Sequence, residues 1–497
     1  MDLFHKESSG EDASASGSRL TRGFLSPVIV QVAAATLFFL MLISWHSELP
    51  VNDSWSTPGR AMEMLQRGDF GANAFNPEIY RHNDSFKLFP VLAEVFAARL
   101  ASGWSMMASV LMGAFFWVMT YLILNRIVSA SGVSNRIAAV YAFVSGLIMF
   151  SPLGLPRLGL PFSVHRTLPI FLAVLAILLA ADRSSANRRL SGVVQIALCA
   201  VAQLSFISGI AAWISLIAVR GWRAAAAGKA ERKKELIWLG AACLSFLLFE
   251  LALFAAGFSS LEHTAMVASE HNLSFAPADI TGRIFASLGA FLFVSALEML
   301  NGLGGIFGAL ICAAAVSVIL IIALKLVMEA WSQRERAHAP ETSAVVCLGG
   351  FVLFSLFLAM LVGFARWVPF LGWDPRYFCE VQFLGASLVG LVAVERAESN
   401  RSGSSGFRRR AGLLLMLSIG FAWLLIGAKG IFDLTDPRAR EALRRTELKR
   451  CILNTKSAEE MVKSCPLGGA HVRVPDMQGA GHDIVHRIWR LTRESLR

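Results

Sequence analysis

Charge is what this chain has least of: 16% of its 497 residues are Asp, Glu, Lys or Arg and 55% are hydrophobic, whereas a soluble domain carries about a quarter charged residues. That balance excludes an ordinary cytosolic enzyme. The chain also lacks G-x-G-x-x-G, a P-loop, H-E-x-x-H and G-x-S-x-G in a plausible context, so nucleotide-driven transport and zinc proteolysis lose their usual residues. No C-x-x-C or Cys/His spacing suggests a metal, and no cofactor is expected. No small-residue cleavage site follows the first apolar run, which is read as a retained anchor behind a polar, Ser-rich segment over 1–23.

What is present is a succession of apolar runs. Those at 26–45, 104–124, 137–150, 168–181, 236–258, 306–327, 344–364, 378–394 and 411–432 can each cross the apolar layer, some with help from neighbours. The run 190–219 is flanked on both sides by basic residues: Arg183, Arg188 and Arg189 before it, Arg220, Arg223, Lys229, Arg232, Lys233 and Lys234 after it. Both flanks belong on the cytoplasmic side, so two short spans turning near 205–209 are expected. The excess of 46 Lys and Arg over 35 Asp and Glu lies mostly in gaps of this kind. It reads as a topology signal, not as a nucleic-acid surface.

The stretch 285–300 carries Glu298 and ends in Asn301-Gly302, which suits an interfacial or re-entrant helix. Leaving it out of the count gives an all-α polytopic protein of about eleven transmembrane helices, N-terminus in and tail out. Counting it as a span reverses every later segment, a choice the proximal tail arginines Arg438, Arg440, Arg444 and Arg445 would favour. The expected divisions are a cytoplasmic tail over 1–23, an N-terminal membrane module over 24–221 containing an outer loop at 47–103, C-terminal membrane helices over 222–432, and a small outer tail over 433–497.

Of seven cysteines, Cys199, Cys243, Cys312, Cys347 and Cys379 fall in or beside apolar segments as packing residues. Cys451 and Cys465 stand alone in the polar tail, where a disulfide would need an oxidising compartment.

The outer loop carries two helical patterns, 57–67 and 88–100, expected along the membrane surface. Its aromatics Trp55, Phe70, Phe75, Tyr80, Phe86 and Phe89 argue for order. Just beyond the first span comes Leu49-Pro50-Val51-Asn52-Asp53-Ser54-Trp55, which puts Asp53 at the water–lipid boundary; Tyr80-Arg81-His82-Asn83-Asp84 follows. Glu250, inside an apolar run, is either functional or a buried partner of a polar residue on a neighbouring helix.

This organisation resembles the polytopic glycosyltransferases of the GT-C fold, bacterial type, whose first outer loop carries a catalytic acid after the first span. The resemblance covers roughly 26–221, with Asp53 in the acid's place, and the Arg376-Tyr377 pair heading a late span. It implies an inverting, metal-independent transfer of a sugar from a polyprenyl-phosphate donor to an acceptor hydroxyl on a lipid or glycan. The enzyme would sit in the inner (cytoplasmic) membrane with its site facing the periplasm or exterior.

In that reading Asp53 takes the acceptor's proton, and arginines meet the charge on the departing phosphate. Arg376, Arg366, Arg157 and Arg166 are the phosphate candidates, with His165 beside Arg166, and His82 and Asp84 as further substrate contacts. Each has a plainer reading: Asp53 as a solvated cap, Arg166 as a headgroup-reaching side chain, Arg376 as an ion partner of Asp374. Alternatives to the transferase are a polysaccharide polymerase or ligase, or a lipid or glycan flippase. The short late loop 366–377 favours the transferase over the polymerase, since polymerases concentrate arginine in a large late loop.

Overall fold

In the computed structural model, residues 26–49, 53–82, 85–160, 162–182, 188–206, 208–256, 276, 278–282, 284, 340–365, 378–401, 406–436, 446–465 and 480–495 are described. The protein is a polytopic helical membrane protein. Five described helices are long and apolar enough to cross a membrane.

Helix α1 (Pro27–Trp45) begins with proline at its first turn, where no N–H is needed. It turns Val28, Ile29, Val32, Leu37, Leu40 and Ile43 outward, as a lipid-facing helix does, and buries Phe38 and Leu42, one turn apart, against the bundle. The loop that follows folds into α2 (Asp53–Arg67), a two-stranded ribbon of β1 (Arg81–His82) and β2 (Ser85–Phe86), and α3 (Leu88–Leu100). Both loop helices fall where sequence periodicity places them, α2 starting four residues earlier than the expected 57.

Helices α4 (Met106–Ala130), α5 (Asn135–Met149) and α6 (Val164–Ala181) form the centre. Ser105 caps α4 by accepting from the Ala108 N–H at 3.2 Å. Trp117 and Tyr121 on α4 donate across to the Met149 and Ala142 carbonyls of α5, at 2.7 and 2.8 Å. These bonds satisfy two aromatic polar atoms where water is scarce.

The expected hairpin is present as α7 (Arg188–Gln203) and α8 (Gly209–Ala226). A side chain at Gly209 would lie 2.2 Å from the Gln203 nitrogen, so only glycine lets the chain reverse there. Helix α9 (Lys229–Ala255) packs on α8 and exposes Leu236, Ile237, Leu244, Leu247, Leu251 and Phe254. Helices α10 (Pro340–Ala365), α11 (Phe378–Arg401) and α12 (Gly406–Thr435) complete the described bundle. Tyr141 of α5 reaches the Ala386 carbonyl of α11 at 3.3 Å. Beyond the bundle come α13 (Thr446–Asn454), α14 (Ala458–Ser464) and α15 (Ala480–Ser495), with a disulfide between Cys451 and Cys465.

The bundle has a loop end, carrying α2 and α3, and an opposite end. At the opposite end Arg220 and Arg223, expected as part of a basic flank, are also buried against Glu235 of α9 at 2.8 and 2.6 Å. Arg220 also donates to Gln195 at 2.6 and 3.0 Å, and Arg223 donates to the Ala180 and Asp182 carbonyls at the end of α6. Charge count cannot separate a cytoplasmic flank from a buried clamp, because both place arginine at a span's end. Glu250 has the partner that one of its readings required: Gln203 of α7 donates to its carboxyl.

Candidate functional site

At the loop end three cationic or ionisable side chains gather on two aromatic rings. Lys87, the residue between β2 and α3, is 1% exposed, although lysine is rarely buried without compensation. Its Nζ lies 5.5 Å from the centre of the Phe162 ring and 5.7 Å from that of Phe206. Arg166, in the first turn of α6, sets its guanidinium 5.5 Å from the same Phe206 ring and 3.5 Å from Glu380 of α11. The His165 ring stacks on Phe162 at 4.9 Å and meets Phe206 edge-on at 5.3 Å. Each cation lies within the distance at which a ring face attracts it.

Local structure explains the convergence. Phe206 lies in the α7–α8 turn, which the short hairpin brings to the loop end. Phe162 has φ +69°, a left-handed conformation costly for a bulky residue, which turns the chain sharply into α6. That conformation is held from below. The Phe162 N–H donates to Ser109 Oγ at 2.8 Å, Ser109 donates to Glu94 at 2.5 Å, and Trp104 Nε1 donates to the other Glu94 oxygen at 3.4 Å.

Glu94 is buried on the inner face of α3, and burial pushes its carboxyl up to about 7 against the pull of the Ser109, Trp104 and Phe162 hydrogen bonds. Gly113 of α4 is required beneath: a methyl there would sit 2.1 Å from Ser163 Oγ. His165 Nδ1 donates to the Phe162 carbonyl, since a carbonyl only accepts, which leaves Nε2 of the neutral ring as its acceptor. On the far side Gln382 donates to the Ile148 carbonyl at 2.7 Å and seats the head of α11 on the α5 terminus.

Arg166 brings a permanently charged guanidinium beside Glu380, and Lys87 and His165 add nitrogen donors, side chains of the kind that bind phosphate. The loop end also holds the start of α2, whose first residue is Asp53.

Of the residues expected from sequence, His165 and Arg166 are brought together in this cluster. Asp84, Arg366 and Arg376 lie outside the described residues. Asp53, His82 and Arg157 are described by backbone alone: Asp53 opens α2, His82 ends β1, and Arg157 lies in a short helical turn, Leu155–Leu158. Sequence reasoning missed Lys87, Phe206 and Glu380. Glu380 had a readable signal, a carboxylate three residues into an apolar run. Lys87, wedged between an aromatic ribbon and an amphipathic helix, had a weaker one.

No known family profile matches the chain, and no curated protein matches it. Among solved structures it is similar to the Archaeoglobus fulgidus oligosaccharyltransferase in the apo form, with a TM-score of 0.48 and 15% identity over 88% of this chain and 59% of that one. The same archaeal protein in complex with Zn and sulfate gives a TM-score of 0.45 and 15% identity over 87% of this chain and 56% of that one. The chain thus spans less than two thirds of the proteins it resembles.

Proposed function

We propose that this protein is a membrane glycosyltransferase that moves a sugar from a polyprenyl-phosphate donor to an acceptor hydroxyl of a lipid or glycan at the outer face of the inner membrane. The observation that carries the reading is the gathering of Lys87, His165 and Arg166 on the Phe162 and Phe206 rings, at the end of the bundle where α2 begins. A lipid-linked phosphate needs such a place: cations to hold it, in a wall of apolar helices along which a prenyl chain can lie.

In the proposed reaction the acceptor oxygen bonds to the sugar's anomeric carbon as the bond from that carbon to the phosphate oxygen breaks. The configuration inverts. Asp53 takes the hydroxyl proton, and the phosphate leaves with one more negative charge, which Arg166 and Lys87 meet together with Arg376, Arg366 and Arg157. These side chains take the neutralising role, so the reading invokes no metal. His82 and Asp84, on the same loop, are assigned to acceptor contacts.

The sidedness proposed with this function is the loop end outside, the N-terminus inside and eleven crossings. Supporting it, the tail helices pack on the loop: Lys449 of α13 lies 3.7 Å from Glu48. A tail on the loop's side agrees with leaving 285–300 out of the span count.

The test uses purified protein in nanodiscs with polyprenyl phosphates carrying tritiated sugars of several kinds and with lipid and glycan acceptors added, following label as it moves from the donor phosphate to an acceptor. Asp53→Asn keeps shape and removes basicity. Turnover is expected to fall by roughly 10²–10⁴ with donor affinity retained. Full turnover in folded Asp53→Asn would refute the mechanism, and donor translocation without sugar loss would favour a flippase.

A further inference from the structure

The tail is joined to the catalytic loop at two points that bracket Asp53. Before it, Glu48 accepts from Thr446 Oγ1 at 3.4 Å and pairs with Lys449. After it, Glu63 of α2 is gripped by α15: Arg487 Nε lies 2.8 Å from one carboxylate oxygen and Arg490 Nη1 2.7 Å from the other. The partners are 424 and 427 residues apart in sequence. Arg67, one turn along α2, adds a third contact at 2.7 Å.

Helix α15 is itself seated firmly. Ile488 and Leu491 are buried, Trp489 Nε1 donates to Thr455 Oγ1 at 3.2 Å, and Arg493 stacks on Trp489 at 5.1 Å while donating to the Thr455 carbonyl. Thr455 lies within the segment closed by the Cys451–Cys465 disulfide, so the grip on α2 is anchored in a covalently closed unit.

We propose that α15 is a clamp on α2 and that Glu63 is a positioning residue for Asp53, acting through the helix they share; the proposal rests on reading Asp53 as the base. Ten residues of α2, with Pro58 inside the helix between them, separate the two, a lever of about 15 Å at 1.5 Å per residue. A tilt of about 10° at the Glu63 end shifts the Asp53 end by about 2.6 Å by the same helix geometry. Misplacement of a reacting group by about 1 Å costs about 10²-fold in rate. The polar tail therefore belongs to the active-site architecture, although it contributes no reacting atom. Burial raises the Glu63 carboxyl, but the Arg487 hydrogen bond and the charges of Arg487, Arg67 and Arg490 outweigh it and hold the group below the ordinary range, as a working clamp requires.

The experiment compares the full chain in nanodiscs with Glu63→Gln, with Arg487→Glu/Arg490→Glu, and with Glu63→Arg combined with Arg487→Glu/Arg490→Glu. Two readouts are taken: hydrogen exchange of the α2 amides, and kcat and KM with the tritiated polyprenyl-phosphate sugars. The clamp predicts faster α2 exchange and kcat lower by about 10–100-fold in the first two variants, donor KM within about twofold, and recovery of both readouts in the charge-swapped variant. Unchanged exchange overturns the clamp. Faster exchange with unchanged kcat overturns the positioning role. Should the unsubstituted protein consume no donor, the proposed function falls, and exchange alone then decides the clamp.

Discussion

Glu94→Gln tests how the loop end is held together. In the native protein the Glu94 carboxyl is fully enclosed and pushed up to about 7, from an ordinary 4.5. The native state therefore binds this proton more tightly than the unfolded chain does. At about 1.36 kcal/mol per tenfold change in proton affinity, the difference is worth about 3 kcal/mol. Because the native value is the higher one, that stability is fully present below about 4.5 and is lost as pH rises through about 7.

Gln matches the neutral carboxyl in shape and accepts from Ser109 or Trp104, but it does not titrate. Thermal unfolding in detergent at pH 4.5, 6, 7 and 8 is the assay. The unsubstituted protein is expected to lose several degrees of Tm across that range relative to the variant, with the two close at the acid end and the variant ahead at pH 8. Parallel curves would refute the reasoning, because they would mean that Glu94 is ionised, or neutral, throughout. A variant less stable at every pH by the same amount would point to a hydrogen-bond defect and not to ionisation.

Arg166→Ala should weaken donor binding at least tenfold, and Arg166→Lys should recover only part of it, since a point charge lacks the planar fork; equal affinity in all three proteins, measured by donor titration, would remove Arg166 from the site. Arg376→Ala carries the same expectation for donor affinity, read in the same titration. Cysteines placed at 402 and 404 should be shielded from impermeant label in intact cells while one at 469 reacts, and the reverse pattern would turn the proposed topology over. Mass spectrometry without reduction should find Cys451 linked to Cys465; closing a loop of this length contributes about 3 kcal/mol to the tail's stability in the chain-entropy model, so reduction should speed its proteolysis.

Much of the helix plan was legible because it follows from solvent. Basic residues on both flanks of one apolar run demanded a hairpin, and α7 and α8 form it. Helical spacing in the loop located α2 and α3. The cluster was less legible, because Lys87, Phe206 and Glu380 belong to three segments that only tertiary packing brings together. His165 and Arg166 stood out as polar residues between two spans, but nothing in sequence says that aromatic rings receive them. The ionic grip on Glu63 was invisible for a further reason: a carboxylate on a surface helix and two arginines in a polar tail look solvated until the tail is seen lying on the helix.

The α7–α8 hairpin also has a mechanical consequence for the bilayer. Helix α7 has 16 residues, about 24 Å at the standard rise, against a hydrocarbon layer of about 30 Å. In the proposed topology, where α7 and α8 are two crossings, this hairpin with Phe206 at its turn leaves part of the layer unspanned. Lipid beside it must thin, or headgroups and water must descend to meet it. A dimple in the leaflet would form next to the cations, and a phosphate riding on a prenyl chain could enter it sideways without leaving the membrane surface. Bilayer thickness then becomes a variable of the reaction: activity should rise in short-chain lipids and fall in long-chain ones, with no change in the protein's sequence.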